Sequence, residues 1–327
     1  MESAVLLITY RRMETALRVF EQIRLAEPPR LYFASNAANP NDPEEVNKVL
    51  QVRGLLDLVD WPCEVNTLLR EKHLNVKESV AGAIDWFFDS ESEGIVLEDD
   101  CLPHPDFFSF CDEMLERYRN VPEVAIVGGT CVQPPTFSPE ASYYFSKYVH
   151  IWGWATWKRT WEQYDRNLKF WPEWKASTDW ARKLTDSVEE RYWKRRFDDA
   201  YAGNIVTWDY QLLACVWRAG GLTVTPCVNL VSNIGFGPDS QFTKNPQSPM
   251  AAVPTHKILP LLHPTRIQAD HKADRYDFDY GFEGRKHRMP WRMLRNLRKV
   301  LVTRILDPTY LALRNEWRSV RNNQRKL

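Results

Sequence analysis

Three consecutive acids, Glu98, Asp99 and Asp100, close the short apolar run Gly94-Ile95-Val96-Leu97, and Cys101-Leu102-Pro103-His104-Pro105-Asp106-Phe107-Phe108 follows at once. Like charges a few ångströms apart repel by a few kcal/mol per close pair at an effective dielectric of about 20, so the triplet needs protons, water or a cation. Mg2+ or Mn2+ held by carboxylates keeps open positions for phosphate oxygens, which makes a di- or triphosphate the natural partner. A solvated acidic turn is the plain alternative for Glu-Asp-Asp taken alone. Asp209, between Trp208 and Tyr210 at a helix start, reads either as an N-terminal cap or as a general base for an attacking hydroxyl. Arg11 or Arg12, and Arg70 with Lys72, read either as surface cations or as groups framing a nucleotide. The run Trp152-Gly153-Trp154-Ala155-Thr156-Trp157 is either core packing or a flat aromatic surface for a sugar ring, with Gly153 letting a backbone pass close to a ligand.

The elements that must position these groups follow from periodicity. Ala4 to Thr9 is a continuous apolar run suited to burial on both faces of a parallel sheet, and a helical pattern through Leu17, Phe20 and Ile23 follows it. Arg30 to Ser35 and Glu64 to Leu69 repeat the strand signal, with helices around Val46 and Val49 and around Val80, Ile84 and Phe87. Gly94 to Leu97 is then the fourth strand of an alternating βα series, which builds a parallel sheet with helices on both faces. Such a sheet binds ligands beyond the carboxyl ends of its strands, where the acids fall. Asp106 is expected to cap a helix bearing Phe107, Cys111, Met114, Leu115 and Tyr118. Past the strand Val124 to Gly129 the pattern becomes irregular and aromatic. A helix opens at Thr207-Trp208-Asp209 and stops at Gly220-Gly221, and a strand from Leu222 to Val231 delivers the loop Ser232 to Thr243.

The 327 residues carry 43 basic and 43 acidic side chains, so no global charge points to nucleic acid. The balance hides a polarity: thirteen Lys and Arg lie between Arg285 and Lys326 against Asp307 and Glu316 alone. Six cysteines without CxxC spacing and with mostly apolar neighbours read as reduced, buried thiols of a cytosolic protein. The N-terminus enters a strand without a basic-then-apolar leader, and no window reaches the roughly 18 apolar residues needed to span a bilayer.

Glu98-Asp99-Asp100, then Pro103, Pro105-Asp106-Phe107-Phe108, then Trp152-Gly153-Trp154 and Trp208-Asp209, resembles the GT-A glycosyltransferases, in particular bacterial nucleotide-diphospho-sugar transferases of the family 2 type, themselves similar to N-acetylglucosaminyltransferase I. The resemblance runs over residues 3 to 245. It implies an α/β fold, a GT-A-like α/β/α sandwich with a mostly parallel Rossmann-like sheet. Residues 1–265 would form the catalytic domain, with 1–130 binding nucleotide and 131–265 binding acceptor, and 266–327 a basic helical extension. It also implies an inverting, metal-dependent hexosyl- or N-acetylhexosaminyltransferase using a UDP-sugar donor and a carbohydrate or lipid-linked acceptor, in cell-envelope polysaccharide or lipopolysaccharide synthesis. By this resemblance Asp100 binds Mn2+ or Mg2+, Glu98 and Asp99 contact ribose, water or sugar, and Asp209 is the catalytic base. Thr9, Arg12, Asn36, Arg70 and Trp154 line the nucleotide and donor, and Asn233, Gly235 and Gly237 belong to a lid. Two departures stand out: Ser35-Asn36 replaces an Asp that recognises the base, and Phe242 replaces a histidine before the lid Thr, leaving no second metal ligand assigned.

A sugar nucleotidyltransferase shares the fold and metal need but carries a glycine-rich loop after the first strand, where this chain has Thr9-Tyr10-Arg11-Arg12-Met13. A non-catalytic carbohydrate-binding protein fits the tryptophans and leaves the acids unexplained. Leu294, Leu297, Leu301 and Ile305 among Arg292, Arg295, Arg298 and Lys299 suggest a basic amphipathic helix, resting on the inner face of a membrane, packed on the domain, or pairing two subunits.

Overall fold

The computed structural model describes residues 1–184, 186–238, 240 and 243–294. In chain order the elements are β1 (Ala4–Thr9), α1 (Met13–Ala26), β2 (Arg30–Ser35), α2 (Pro43–Arg53), β3 (Glu64–Leu69), α3 (Val76–Ser90), β4 (Glu93–Glu98), β5 (Cys101–Pro103), α4 (Pro105–Tyr118), β6 (Val124–Gly128), β7 (Tyr143–Ser146), β8 (Trp154–Trp157), α5 (Lys158–Trp161), α6 (Trp171–Trp174), α7 (Thr178–Lys183), α8 (Ser187–Tyr201), α9 (Asp209–Arg218), β9 (Leu222–Pro226), β10 (Val231–Asn233) and α10 (His271–Tyr280). Eight strands form one sheet in the order β3-β2-β1-β4-β8-β6-β9-β7. Six run the same way, and β8 and β7 are antiparallel to their neighbours. The fold is α/β with a mostly parallel central sheet, as the alternating pattern of the first half requires.

Local chemistry explains the element limits. β1 is buried at every position and pairs on both sides, with β2 and with β4, which is why its sequence is apolar throughout. Asp42 caps α2 by accepting from the N–H groups of Glu44 and Glu45, with Pro43 in the first turn, and Asn75 caps α3 through Glu78 N–H. α4 departs from expectation. His104, not Asp106, is its cap, its Nδ1 accepting from Asp106 N–H at 3.1 Å, because Pro105 occupies the first helical position. Asp106 instead accepts from Ile258 N–H at 2.9 Å and ties down a distant segment.

The expected strand Leu222 to Val231 is two strands. Pro226 has no N–H to continue the ladder, so β9 stops there, and after Asn229 the chain pairs with β5 as β10 in a separate two-stranded sheet. The main core cluster joins Val5, Leu7, Phe33 and Ile95 of the large sheet to Phe20 and Ile23 of α1 and to Phe107, Phe110, Met114 and Leu115 of α4, and α1 and α4 also pack on each other. A satellite cluster of aromatics, Trp171, Trp174, Trp180, Trp193, Phe197 and Trp217, joins α6 to α9 through edge-to-face contacts.

The chain divides into a compact unit from Met1 to Asp277 and a second beginning at Phe278, rather than at 265. Residues 266–277 belong to the first unit because Asp270 N–H donates to Phe145 carbonyl at 2.8 Å and Asp274 accepts from Ser146 Oγ at 2.6 Å. All six cysteines are free: Cys101, Cys111 and Cys215 are buried, whereas Cys63, Cys131 and Cys227 are only half-buried. No helix among the described residues is long and apolar enough to cross a membrane. Leu297, Leu301, Ile305, Arg295, Arg298 and Lys299 of the expected amphipathic helix, and Phe242 of the lid, lie outside the described residues.

Candidate active site

β1 lies between β2 and β4, so the order of connection reverses at its carboxyl end, the place where an open α/β sheet leaves a crevice. The register Ile8↔Glu98 sets Thr9 and Tyr10 level with the acids that follow β4. Tyr10 N–H donates to Asp99 Oδ2 at 2.9 Å. Arg12, just before α1, reaches over the same point: its Nη2 lies 2.5 Å from Asp99 Oδ1 and 2.8 Å from Asp100 Oδ2. The three acids therefore divide their work. Asp99 is buried and spent on Tyr10 and Arg12, Asp100 faces Arg12 with one oxygen and the Cys101 thiol with the other, and the Glu98 carboxyl makes no hydrogen bond or ion pair among the described residues while keeping part of its surface open.

Electrostatics follow from that crowding. Burial, then Asp100 and Asp99 beside it, push the Glu98 carboxyl up to about 8, with Arg12 pulling the other way and Asp209 adding to the push. Burial raises Asp99 to about 6 against the pull of Arg12. For Arg12, burial works against the charge, and Asp99 and Asp100 more than offset it, so the guanidinium stays protonated.

Asp209 comes from the other half of the chain. It is the first residue of α9, and the cap position is held by Trp208 without a side-chain bond, so Asp209 does not act as the cap. Trp208 is fixed by stacking on Trp154, ring centroids 6.0 Å apart, and by the Tyr164 hydroxyl on its carbonyl at 3.2 Å. Thr207 Oγ1 donates to Asp209 Oδ1. Burial raises the Asp209 carboxyl above its ordinary value, with that hydroxyl and the N–H of Tyr210 opposing. Asp209 adds a small contribution, after Asp100, Asp99 and Arg12, to the charge that Glu98 feels.

The segment from Asn233 to Gly237, expected from the sequence to belong to a lid, starts at this point. β10 pairs Asn233 with Cys101, and Ile234 N–H donates to Asp100 carbonyl at 2.8 Å. Asn233 itself is buried, its Oδ1 accepting from Gly235 N–H at 2.9 Å, so it anchors the loop rather than facing a ligand. A Cβ on Gly235 would lie 2.0 Å from Asp100 Oδ2 and 2.5 Å from Arg12 Nη1, which is why a side chain is excluded there. Gly237 donates its N–H to Thr243 carbonyl at 2.9 Å and has open space around it.

Three expected ligand contacts are instead structural. Trp154 is 1% exposed in β8, between β4 and β6, so it has no free face for a sugar. Half-buried Trp152, two residues before β8, packs on the core and meets Phe236 edge-on with ring centroids 5.7 Å apart. Gly153, with φ +66°, is needed because a Cβ would lie 2.6 Å from Val231 Cγ2, so protein and not ligand makes the close approach. Asn36 uses its amide on the main chain, accepting from Leu74 N–H at 3.1 Å and donating to Leu74 carbonyl at 2.8 Å, which leaves it no edge for a base. Thr9 Oγ1 is likewise spent on Ala34 carbonyl at 3.1 Å. Arg70 stands at the end of β3 with one long bond to Ser79 carbonyl, 3.4 Å, and no ion pair among the described residues.

Sequence reasoning missed a group beside β1 and β2. The Tyr10 hydroxyl bonds Glu45, whose Oε1 is 3.5 Å from Arg11 Nη1, and the Tyr10 ring lies 5.5 Å from that of His73. Only the burial of Glu45, an acid on a solvated-looking helix, marks it.

A divalent cation at this edge would take oxygens of Glu98 and Asp100 and would displace Arg12 from Asp100. No three His, Cys, Asp or Glu among the described residues converge on one point; Glu98 is partly open, whereas buried Asp100 is engaged by Arg12 through one oxygen and by the Cys101 thiol through the other. Such an ion would complete its shell with water and phosphate oxygens.

No protein-family model and no curated protein matches the chain. Solved structures with a likeness include HddC from Yersinia pseudotuberculosis, also complexed with GMP-PN (TM-score 0.32, 11% and 10% identity, 52% of this chain and 86% of that one). UDP-glucose pyrophosphorylase complexed with UDP-glucose aligns with TM-score 0.29 and 9% identity over 50% of this chain and 79% of that one. The 4-diphosphocytidyl-2C-methyl-D-erythritol synthase from Anaerococcus prevotii gives TM-score 0.30 and 8% identity over 60% and 84%.

Proposed function

We propose that this chain transfers a glycosyl group from a nucleoside-diphosphate sugar to an acceptor hydroxyl, with inversion at the anomeric carbon. The observation that supports the reading is the edge beyond β1 and β4 where one guanidinium, Arg12, bridges Asp99 and Asp100 beside Glu98, with buried Asp209 of the second half adding to the charge that Glu98 feels. In one displacement the acceptor oxygen bonds to the anomeric carbon, the bond from that carbon to the diphosphate oxygen breaks, and its electron pair leaves with the nucleoside diphosphate. The acceptor proton goes to Asp209, whose burial raises its affinity for protons and suits it to a base's task. A divalent ion held by Asp100, with Glu98 alongside, would supply charge stabilisation for the leaving diphosphate. Arg12 adds a fixed positive charge at the same edge, and Trp152 with Phe236 offers an aromatic wall for the sugar.

Sugar nucleotidyl transfer, the second reading, needs a loop whose main-chain N–H groups cradle a triphosphate. Here the turn after β1 contains no glycine, and Tyr10 N–H is already committed to Asp99, which favours glycosyl transfer. Product analysis on a panel of nucleotide sugars separates the two. With Mn2+ or Mg2+ and water as a slow acceptor, glycosyl transfer releases nucleoside diphosphate and free sugar. With pyrophosphate, nucleotidyl transfer releases nucleoside triphosphate and sugar 1-phosphate, and that outcome would overturn the proposal.

A further inference from the structure

The charge of this chain is sharply divided. From Phe278 onward there are thirteen Lys and Arg against Asp279, Glu283, Asp307 and Glu316, so the preceding residues carry the compensating acidic excess. Within the described part of the basic segment, large apolar side chains stand in the open: Met289 is 67% exposed, Trp291 47%, Met293 55% and Leu294 53%. Four such residues in six positions form a patch rather than the scattered exposure normal for a surface. Cations are interleaved with them. The Arg285 guanidinium lies 4.7 Å from the Trp291 ring, and Arg285 and Arg292 have no acidic partner among the described residues, whereas Arg288 is paired with Asp279 at 2.6 Å and Lys286 with Glu283.

We propose that residues 285–294 are a docking surface for an anionic lipid bilayer. Trp291, Met289, Met293 and Leu294 would enter the headgroup and upper acyl region, and Arg285 and Arg292 would face lipid phosphates. A protein partner of general acidity would satisfy the cations and leave the four apolar side chains without a reason to be exposed together. A bilayer interface satisfies both, because an indole beside a guanidinium matches a surface that is apolar below and anionic above. The acidic excess of the remainder opposes close approach of the rest of the chain and favours contact through this segment. The inference does not depend on the reaction.

The test is flotation of the full-length protein with phosphatidylcholine vesicles, with and without phosphatidylglycerol, at low and high salt. Binding is expected only with the anionic lipid and is expected to weaken as salt screens it. Arg285→Gln with Arg292→Gln should weaken partitioning roughly fivefold per charge, at about 1 kcal/mol each. Trp291→Ser with Met293→Ser should weaken it on the order of tenfold, given their half-exposed area. Both pairs alter exposed side chains, so unchanged thermal unfolding confirms that folding is not the cause. Absence of flotation with anionic vesicles, flotation indifferent to both double variants, or a concentration-dependent dimer dissolved by Trp291→Ser would each overturn the proposal, the last by making a second copy the occupant.

Discussion

Arg12→Gln is the sharpest perturbation available, because one guanidinium holds two carboxylates. Its Nη2 is 2.5 Å from Asp99 and 2.8 Å from Asp100, and its side chain is 28% exposed. Breaking a buried pair by removing one partner costs about 3–5 kcal/mol, and the partial exposure of Arg12 brings this to roughly 2–4 kcal/mol. For a unit of this size that corresponds to a fall of about 5–10 °C in Tm. The loss should be largest at alkaline pH, where Asp99 is ionised, and should shrink toward pH 5 as Asp99, raised to about 6, takes up a proton. Thermal unfolding with and without Mn2+, and with no nucleotide, adds a second readout. In the wild type the ion must compete with Arg12, whereas in the variant it meets uncompensated carboxylates, so Mn2+ should raise the Tm of Arg12→Gln more than that of the wild type. A variant within about 1 °C of wild type, or one that Mn2+ stabilises less than wild type, would refute the reasoning.

Asp209→Asn keeps the size and the Thr207 contact but removes the proton acceptor; turnover should fall on the order of 10²- to 10⁴-fold while calorimetry finds nucleotide affinity nearly intact. Gly235→Ala places a Cβ 2.0 Å from Asp100 Oδ2, so the lid must shift; metal-dependent nucleotide binding should weaken with little change in urea unfolding, and normal binding would show that the loop does not rest on Asp100 when ligand is present. Asp274 is a test of the second half: burial raises its carboxyl to about 7, with Ser146, Lys147 and Asp277 as neighbours. A raised carboxyl means that the folded state holds the proton more tightly than the unfolded state, so stability is lost as pH rises from about 4 to about 7. Asp274→Asn should flatten that part of the pH–stability curve, measured by denaturant unfolding between pH 5 and 8, and an unchanged slope would show that Asp274 does not cause it.

The first half of the fold was readable because buried parallel strands have an apolar signature, as in Ala4 to Thr9, and because Asp42 and Asn75 announce their helices. Pairing β8 and β7 into the sheet was not readable: both lie in a stretch so rich in aromatics that no period dominates, and which indole is buried in the sheet depends on the register Val96↔Trp154. The acidic triplet was legible as a site, yet its internal division was not, since adjacent acids in a turn differ only in which backbone N–H and which guanidinium they meet. Asp209 could be singled out as a candidate base from its aromatic neighbours and its helix start. Asn36 could not be assigned, because an amide's partners are set by the return of the chain at Leu74. Asp274 and Asp277 sit on a helix with acidic composition that looks solvated, and only the packing of Ser146 and His150 against them reveals that they are buried.

The central claim is that the acidic edge binds a nucleoside diphosphate together with a divalent ion. Calorimetric titration of UDP, and of GDP in parallel, into wild type and Asp100→Ala tests it most directly. Binding is expected for wild type only in the presence of Mn2+ or Mg2+, and is expected to be abolished in Asp100→Ala, whose folding unfolding scans can confirm. Equal affinity with and without the ion, or binding that Asp100→Ala leaves unchanged, would contradict the account.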